Sequence, residues 1–253
     1  MKKMALHGLL QFPMVLEGDD LPDLILNCVK KNEYRVGEGD VFVLAQKIVS
    51  KAEGRQVLLD SVDVSEEAKT LAATTEKDPR LVQLVLDESQ EVLRARPGIL
   101  IVRHKLGLVG AHAGIDQSNI DATKGESALL LPVNPDESAQ KIKSALEREY
   151  KKNVAVIIAD SMNRPWRLGT TGQAIGSAGL KVLDDRRGMQ DIYGRELKVT
   201  LSNSADALAA FATFAMGETI EKTPLVIISG ANCLGDGQRA LDIVRPKSED
   251  LFC

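Results

Sequence analysis

Aromatic side chains are few in this chain: one tryptophan, three tyrosines and five phenylalanines among 253 residues. Any core must therefore be built from leucine, valine, isoleucine and alanine. Cysteine is scarcer than a disulfide framework needs. Cys28, Cys233 and Cys253 form neither an even set nor a C-x-x-C spacing, which suits a reducing, cytoplasmic setting. No apolar run approaches the length that crosses a bilayer, and the Met1-Lys2-Lys3 start lacks a signal-peptide core, so a membrane is not an expected partner. A net charge of −4 removes bulk attraction to nucleic acid, and any anionic substrate must meet a local cluster of cations or a bound metal. Also missing are the G-x-x-x-x-G-K-[ST] phosphate loop, the G-x-G-x-x-G dinucleotide turn and the G-x-S-x-G elbow. A nucleotide, if used, is held in another way. With no repeat, low-complexity tract or flexible linker, residues 1–253 are expected to form a single domain or two intimately packed subdomains.

What is present is periodic. Asp19 or Asp20 can cap a helix with the apolar stripe Leu21, Leu24, Ile25, Cys28 and Val29. A turn at 37–40 precedes a strand at 41–45. Ser65 opens one helix and Asp78-Pro79 another, the latter with Leu81, Val82, Val85 and Leu86 on its apolar face. Strands are expected at 99–103 and 108–109 around a turn at 105–107, and at 128–131. Asn134, Pro135 and Glu137 read as the capped start of a helix with a capping box. Buried strands follow at 154–159 and 224–229, a further strand at 197–201, and an alanine-rich helix at 205–216 capped by Ser204, with Leu208, Phe211 and Phe214 as its larger apolar residues.

Three stretches carry chemistry. At 160–179, Asp160 and Ser161 end the 154–159 run, followed by Arg164, Trp166, Arg167 and glycines at 169, 172, 176 and 179. Carboxylate and hydroxyl at a strand's mouth, arginine forks and glycines suit an anion site; a glycine-rich surface loop with solvated arginines is the alternative. At 46–55, Lys47, Lys51 and Arg55 recur every four residues, as either a cationic cluster or a solvated helical face. At 114–119, Asp116, Ser118 and Asn119 can turn oxygen ligands toward a hard cation, or form an Asx turn. His7, His104 and His112 offer no metal-ligand spacing.

Together these stretches resemble the coenzyme F420-0:L-glutamate ligase (γ-glutamyl ligase) family. The segments D-S-M-N-R-P-W-R-L-G…A-I-G-S-A-G, A-Q-K-I-V-S-K-A-E-G-R, A-H-A-G-I-D-Q-S-N, L-P-V-N-P-D-E-S-A and M-G-E before P-L-V occur in family order between about residues 10 and 230. The resemblance implies an α+β fold of mixed sheets with packed helices, in an intertwined homodimer. It implies GTP-dependent joining of L-glutamate to coenzyme F420-0, with further γ-linked additions, through an acyl phosphate. The implied ions are two of Mg2+ or Mn2+, with K+ as a further candidate. Asp116 and Asp160 would hold the first metal, Ser161 and Glu218 the second. Phe12, Pro13, Met14, Val15, Gln46, Lys47, Lys51, Asn119, Met216 and Gly217 would contact the nucleotide. Asp116 and Asp160, with Arg164 and Arg167 as candidates for phosphate or substrate carboxylate, complete the catalytic set. Two positions depart from the family's pattern, His112 for asparagine and Gly172 for aspartate, which keeps a pterin or folate acceptor as an alternative. A catalytically silent dimeric binding protein is a third reading, opposed by the intact acids at 116, 160 and 218.

Overall fold

Strand β1 (Ala5–Gly8) is followed by helix α1 (Leu21–Lys31), strand β2 (Val41–Ala45), helix α2 (Gln46–Ala52) and strand β3 (Gln56–Leu58). Helices α3 (Glu66–Thr75) and α4 (Pro79–Asp87) lead into strands β4 (Ser89–Arg96), β5 (Ile99–His104), β6 (Val109–Ala111) and β7 (Ser127–Leu129). Helix α5 (Pro135–Tyr150) precedes strands β8 (Ala155–Met162), β9 (Thr171–Ala178), β10 (Leu183–Asp185) and β11 (Leu201–Asn203), then helix α6 (Ser204–Met216) and strand β12 (Leu225–Ser229). The computed structural model describes residues 3–121, 123 and 125–250, so Met1, Lys2 and Cys253 lie outside the described residues. Cys28 and Cys233 are both free thiols.

Five strands form one mixed sheet in the order β1-β12-β2-β8-β9, in which only β2 and β8 run parallel. The apolar runs are continuous because both faces of this sheet are covered. Phe42, Leu44, Val156, Ile158, Leu225 and Ile227 pack with α1 and α5 residues such as Ile25, Val29 and Ile142. Their alternating neighbours Val41, Val43, Ala155, Ile157, Val226 and Ile228 pack with Ala205, Leu208, Ala209 and Ala212 of α6. A smaller antiparallel sheet, β4-β5-β6, is backed by α3 and α4 through Ala68, Ala72, Val82, Val85, Leu100 and Val102. The pairs β3-β7 and β10-β11 form two further two-stranded sheets. The result is mixed α and β with several sheets, as expected.

Helix starts follow local chemistry. Asp20, Ser65 and Asp78 each accept a first-turn N–H through the side chain. Asn134 accepts from Glu137 N, while the Glu137 carboxylate meets the Asn134 side-chain amide in place of the backbone N–H of a full capping box. In α4 it is Leu84 that is buried beside Val82 and Val85; Leu81 and Leu86 are half-buried.

Several expectations need correction. The strand expected to stop at residue 159 continues to Met162, and the expected glycine-rich loop contains its antiparallel partner β9. Gly172 and Gly176 sit inside β9 for lack of room: an added Cβ would lie 2.5 Å from the Ala209 carbonyl oxygen or from the Pro135 backbone. Residues 197–200 are irregular, with Val199 86% exposed, and the strand is the shorter β11. Helix α6 is capped by Asn203, which accepts from Asp206 N, and it turns small residues inward while Phe211 and Phe214 face out. Strands β4 and β10, hidden among charged residues, have no counterpart in the sequence reading.

Candidate active site

The parallel pair sets the position of the site. Ala45 of β2 is in register with Ala159 of β8, so Gln46, the first residue of α2, and Asp160, still within β8, come next on neighbouring chains. Ligand sites open outside the carboxyl ends of parallel strands, where the chain diverges into other elements. Here a cleft of about 1350 Å³ opens at that edge. Its walls come from residues 12–17, from α2, from 116–121, and from the α6–β12 connection.

Helix α2 begins directly at the strand end and presents Lys47 and Lys51, one turn apart, to the cleft. Lys47 Nζ lies 2.7 Å from Asp116 Oδ2 and 2.7 Å from Ser118 Oγ. Lys51 Nζ donates to the Asn119 carbonyl at 2.7 Å. Burial, then the neighbouring charge of Lys47, pulls the Lys51 ammonium below its ordinary range. Arg55, third in this cationic series, turns away: it donates to Leu131 O and pairs with Glu88 at 2.6 Å.

Asp116 does form an Asx turn, accepting from Ser118 N at 2.7 Å, and the turn faces the cleft. Burial alone would raise its carboxyl, but Lys47 and the Ser118 N–H outweigh it and hold the group below the usual range. Asn119, at φ +56°, donates to Thr219 O at 3.2 Å and so links this wall to the α6–β12 connection.

Asp160 is different. Burial pushes its carboxyl up to about 7; the Ser161 N–H and Lys47 oppose this, while Asp116 and Glu218 add to it. Ser161 Oγ donates to Glu218 Oε1, bringing the end of β8 to the residue just past the α6 cap. Among the described residues no three acidic, histidine or cysteine side chains already converge on one point, and Lys47 occupies Asp116. The donors themselves suit a hard divalent cation. They are oxygens only, and the half-buried Asp160 carboxyl is raised by desolvation and by its acidic neighbours. The residues present fit such an ion.

The cleft therefore gathers Phe12, Pro13, Met14, Val15, Gln46, Lys47, Lys51, Asp116, Asn119, Asp160, Ser161, Met216, Gly217 and Glu218 from five separate segments. Arg164 and Arg167 are not among its lining residues. They lie in the β8–β9 turn, where Arg164 donates to Gly169 O and Arg167 is exposed. Sequence reasoning misses Thr170, Thr213 and Thr219, which line the cleft but sit in no chemically marked context. The two departures from the family pattern lie off the cleft lining. His112 Nε2 accepts from Leu100 N in the smaller sheet, and Gly172 is pressed against α6.

The family model for F420-0:gamma-glutamyl ligase matches residues 9–230. The chain is 44% identical over 220 residues to a Methanocaldococcus jannaschii protein named coenzyme F420:L-glutamate ligase, covering 87% of each chain. A protein of the same name from Archaeoglobus fulgidus is 43% identical over 241 residues, 95% of this chain and 92% of that one. Another, from Methanopyrus kandleri, is 41% identical over 242 residues, 94% and 93% of the two chains. With the family model matching residues 9–230 and these relatives aligned over most of its length, this chain belongs to the F420-0:gamma-glutamyl ligase family.

Proposed function

We propose that this chain is a ligase joining the amino group of L-glutamate to a carboxylate of coenzyme F420-0, and then adding further γ-linked glutamates, with GTP as co-substrate. The observation that carries this reading is the meeting of Asp116, Asp160, Ser161 and Glu218 with Lys47 and Lys51 at one sheet edge. A carboxylate does not condense with an amine at useful rates in water. Its oxygen first attacks the γ-phosphorus, GDP leaves, and the glutamate amine then displaces phosphate from the acyl carbon and gives up its proton. Divalent cations, Mg2+ or Mn2+ with K+ as a further candidate, would neutralise charge on the transferring oxygens when held by Asp116 and Asp160 and by Ser161 and Glu218. Lys47 and Lys51 meet the phosphates from the α2 side. Residues 12–15, Gln46, Asn119, Met216 and Gly217 enclose the rest of the nucleotide. Arg164 and Arg167 serve, at most, from outside this lining.

The homodimer belongs to the same proposal. Trp166, Ile192, Tyr193, Val199 and Phe214 are each at least 86% exposed on the β8–β9 turn, the β10–β11 arm and the outer face of α6, a surface suited to a second copy. A cytoplasmic location completes the reading; among the described residues no helix is long and apolar enough to cross a membrane.

The test is an assay with GTP, L-glutamate, Mn2+ and F420-0. Phosphate release in step with amide formation is expected, with little product when dihydropteroate replaces F420-0. Phosphate release independent of acceptor and glutamate, or amide formed only on dihydropteroate, would overturn it. Light scattering should give twice the chain mass.

A further inference from the structure

We infer that Lys47 is the built-in counter-ion of Asp116, and that it must leave Asp116 before either residue can serve a ligand. This rests on the reading of the cleft as a metal- and nucleotide-binding site.

An ammonium has three N–H donors. Lys47 Nζ directs them to Asp116 Oδ2 at 2.7 Å, Ser118 Oγ at 2.7 Å and the Ser118 carbonyl at 3.2 Å. None remains for a phosphate. The carboxylate is equally engaged: Oδ1 accepts from Ser118 N at 2.7 Å, and Oδ2 accepts from Ser118 Oγ at 3.1 Å as well as from Lys47. Lysine, serine hydroxyl and carboxylate form a closed triangle. Lys51 is placed differently, donating to the Asn119 carbonyl at 2.7 Å.

Which partner gives way follows from how each is anchored. The backbone of Asp116 bridges to Leu129 through both of its hydrogen bonds, at 3.1 and 2.8 Å. Lys47 is fixed only at its helical backbone and reaches Asp116 through a flexible four-carbon stem. The lysine swings; the aspartate stays. A divalent ion at Asp116 thus frees Lys47 for phosphate, and a phosphate drawing off Lys47 frees Asp116 for the ion. The two ligands become coupled through one side chain, reciprocally.

The experiment titrates nucleotide-free protein with Mn2+, followed by the electron paramagnetic resonance signal of free Mn2+, for wild type, Lys47→Met, Lys47→Arg and Asp160→Asn. Thermal melts establish that each is folded. Lys47→Met should bind Mn2+ on the order of tenfold more tightly than wild type, within the usual range of coupling between sites, and Lys47→Arg should resemble wild type. In parallel, saturating Mn2+ should raise the acylation rate of Lys47, read by peptide mass spectrometry, more than that of Lys51. Equal or weaker Mn2+ binding in Lys47→Met, with Lys47 labelling unmoved by Mn2+, overturns the inference while leaving the metal site standing. Mn2+ uptake by neither wild type nor Lys47→Met, or uptake that Asp160→Asn leaves unchanged, removes the metal site and the inference with it.

Discussion

Two stretches of this chain, 46–55 and 160–179, look alike as chemistry: each leaves a buried strand and each is marked by cations or carboxylates. The fold uses them differently. In the first, the helix starts at the strand end, so Lys47 and Lys51 stay within one turn of the cleft while Arg55 leaves it. In the second, the strand runs on and folds back as β9, so Asp160 and Ser161 remain at the cleft and Arg164 and Arg167 are carried to the turn beyond. Gly172 and Gly176, which invite an anion on paper, let β9 lie against α6 and α5. In these two stretches, distance along the chain from the Ala45–Ala159 register pair, more than residue type, decides which side chains line the cleft.

This contrast can be broken at four points. Asp160→Asn keeps shape and removes charge near the end of β8. Steady-state kinetics should show turnover down at least ~100-fold, roughly 2.7 kcal/mol of lost transition-state stabilisation, in a protein that circular dichroism finds folded. Near-normal turnover would mean that Asp160 is merely structural. Gly176→Ala tests the packing role of glycine in β9. Its Cβ would meet the Pro135 backbone at 2.5 Å, so destabilisation of about 2 kcal/mol is expected, a fall in Tm of about 4–8 °C at this chain size. An unchanged Tm with a raised KM for nucleotide would instead point to an anion-binding glycine.

Glu88→Gln addresses the cation that left the cleft. The His104 ring holds the Glu88 carboxyl below its usual range, against burial and together with Arg55 and Lys105. A carboxyl lowered in the folded state stabilises above its unfolded pKa and loses that contribution as pH falls through the folded one. Denaturant melts should therefore show a deficit of about 1–2 kcal/mol at pH 7 that shrinks as pH falls below the ordinary carboxyl value of 4.5. A deficit that does not change with pH would rule out the ion pair as its source. Arg167→Ala should do least: kcat/KM within ~3-fold of wild type, under about 0.7 kcal/mol. A loss comparable to that of Asp160→Asn would return the turn to the active site.

Much of this was legible before the structure. Val41–Ala45 and the helices capped by Asp20, Ser65, Asp78 and Asn134 are where periodicity and capping chemistry put them. Strand β9 was not, because Thr-Gly-Gln-Ala-Ile-Gly-Ser-Ala has the small residues that close packing demands and few of the β-branched ones that mark a strand. Strand β4 carries alternating charges on a partly exposed edge and reads as a polar connection. In the site, Lys47 and Lys51 fit a solvated helical face by spacing alone; what spacing cannot reveal is that the face borders a cleft. Asp116 is the sharpest case: its Asx turn and its place in the cleft are both real, so the local pattern is legible in the sequence and does not by itself decide the chemistry. Phe12 to Val15 and Met216-Gly217 carry no reactive group, and only family resemblance marked them.

The central proposal is that Asp116 and Asp160, which line one cleft from distant parts of the chain, share one hard-cation site. Crystals of the protein grown with Mn2+ and a non-hydrolysable GTP analogue, measured at the manganese edge, test it most directly. The account predicts an anomalous peak bonded to carboxylate oxygens of both Asp116 and Asp160, with Lys47 Nζ moved off Asp116. Manganese held by the nucleotide alone, with the Lys47–Asp116 pair intact, would contradict it.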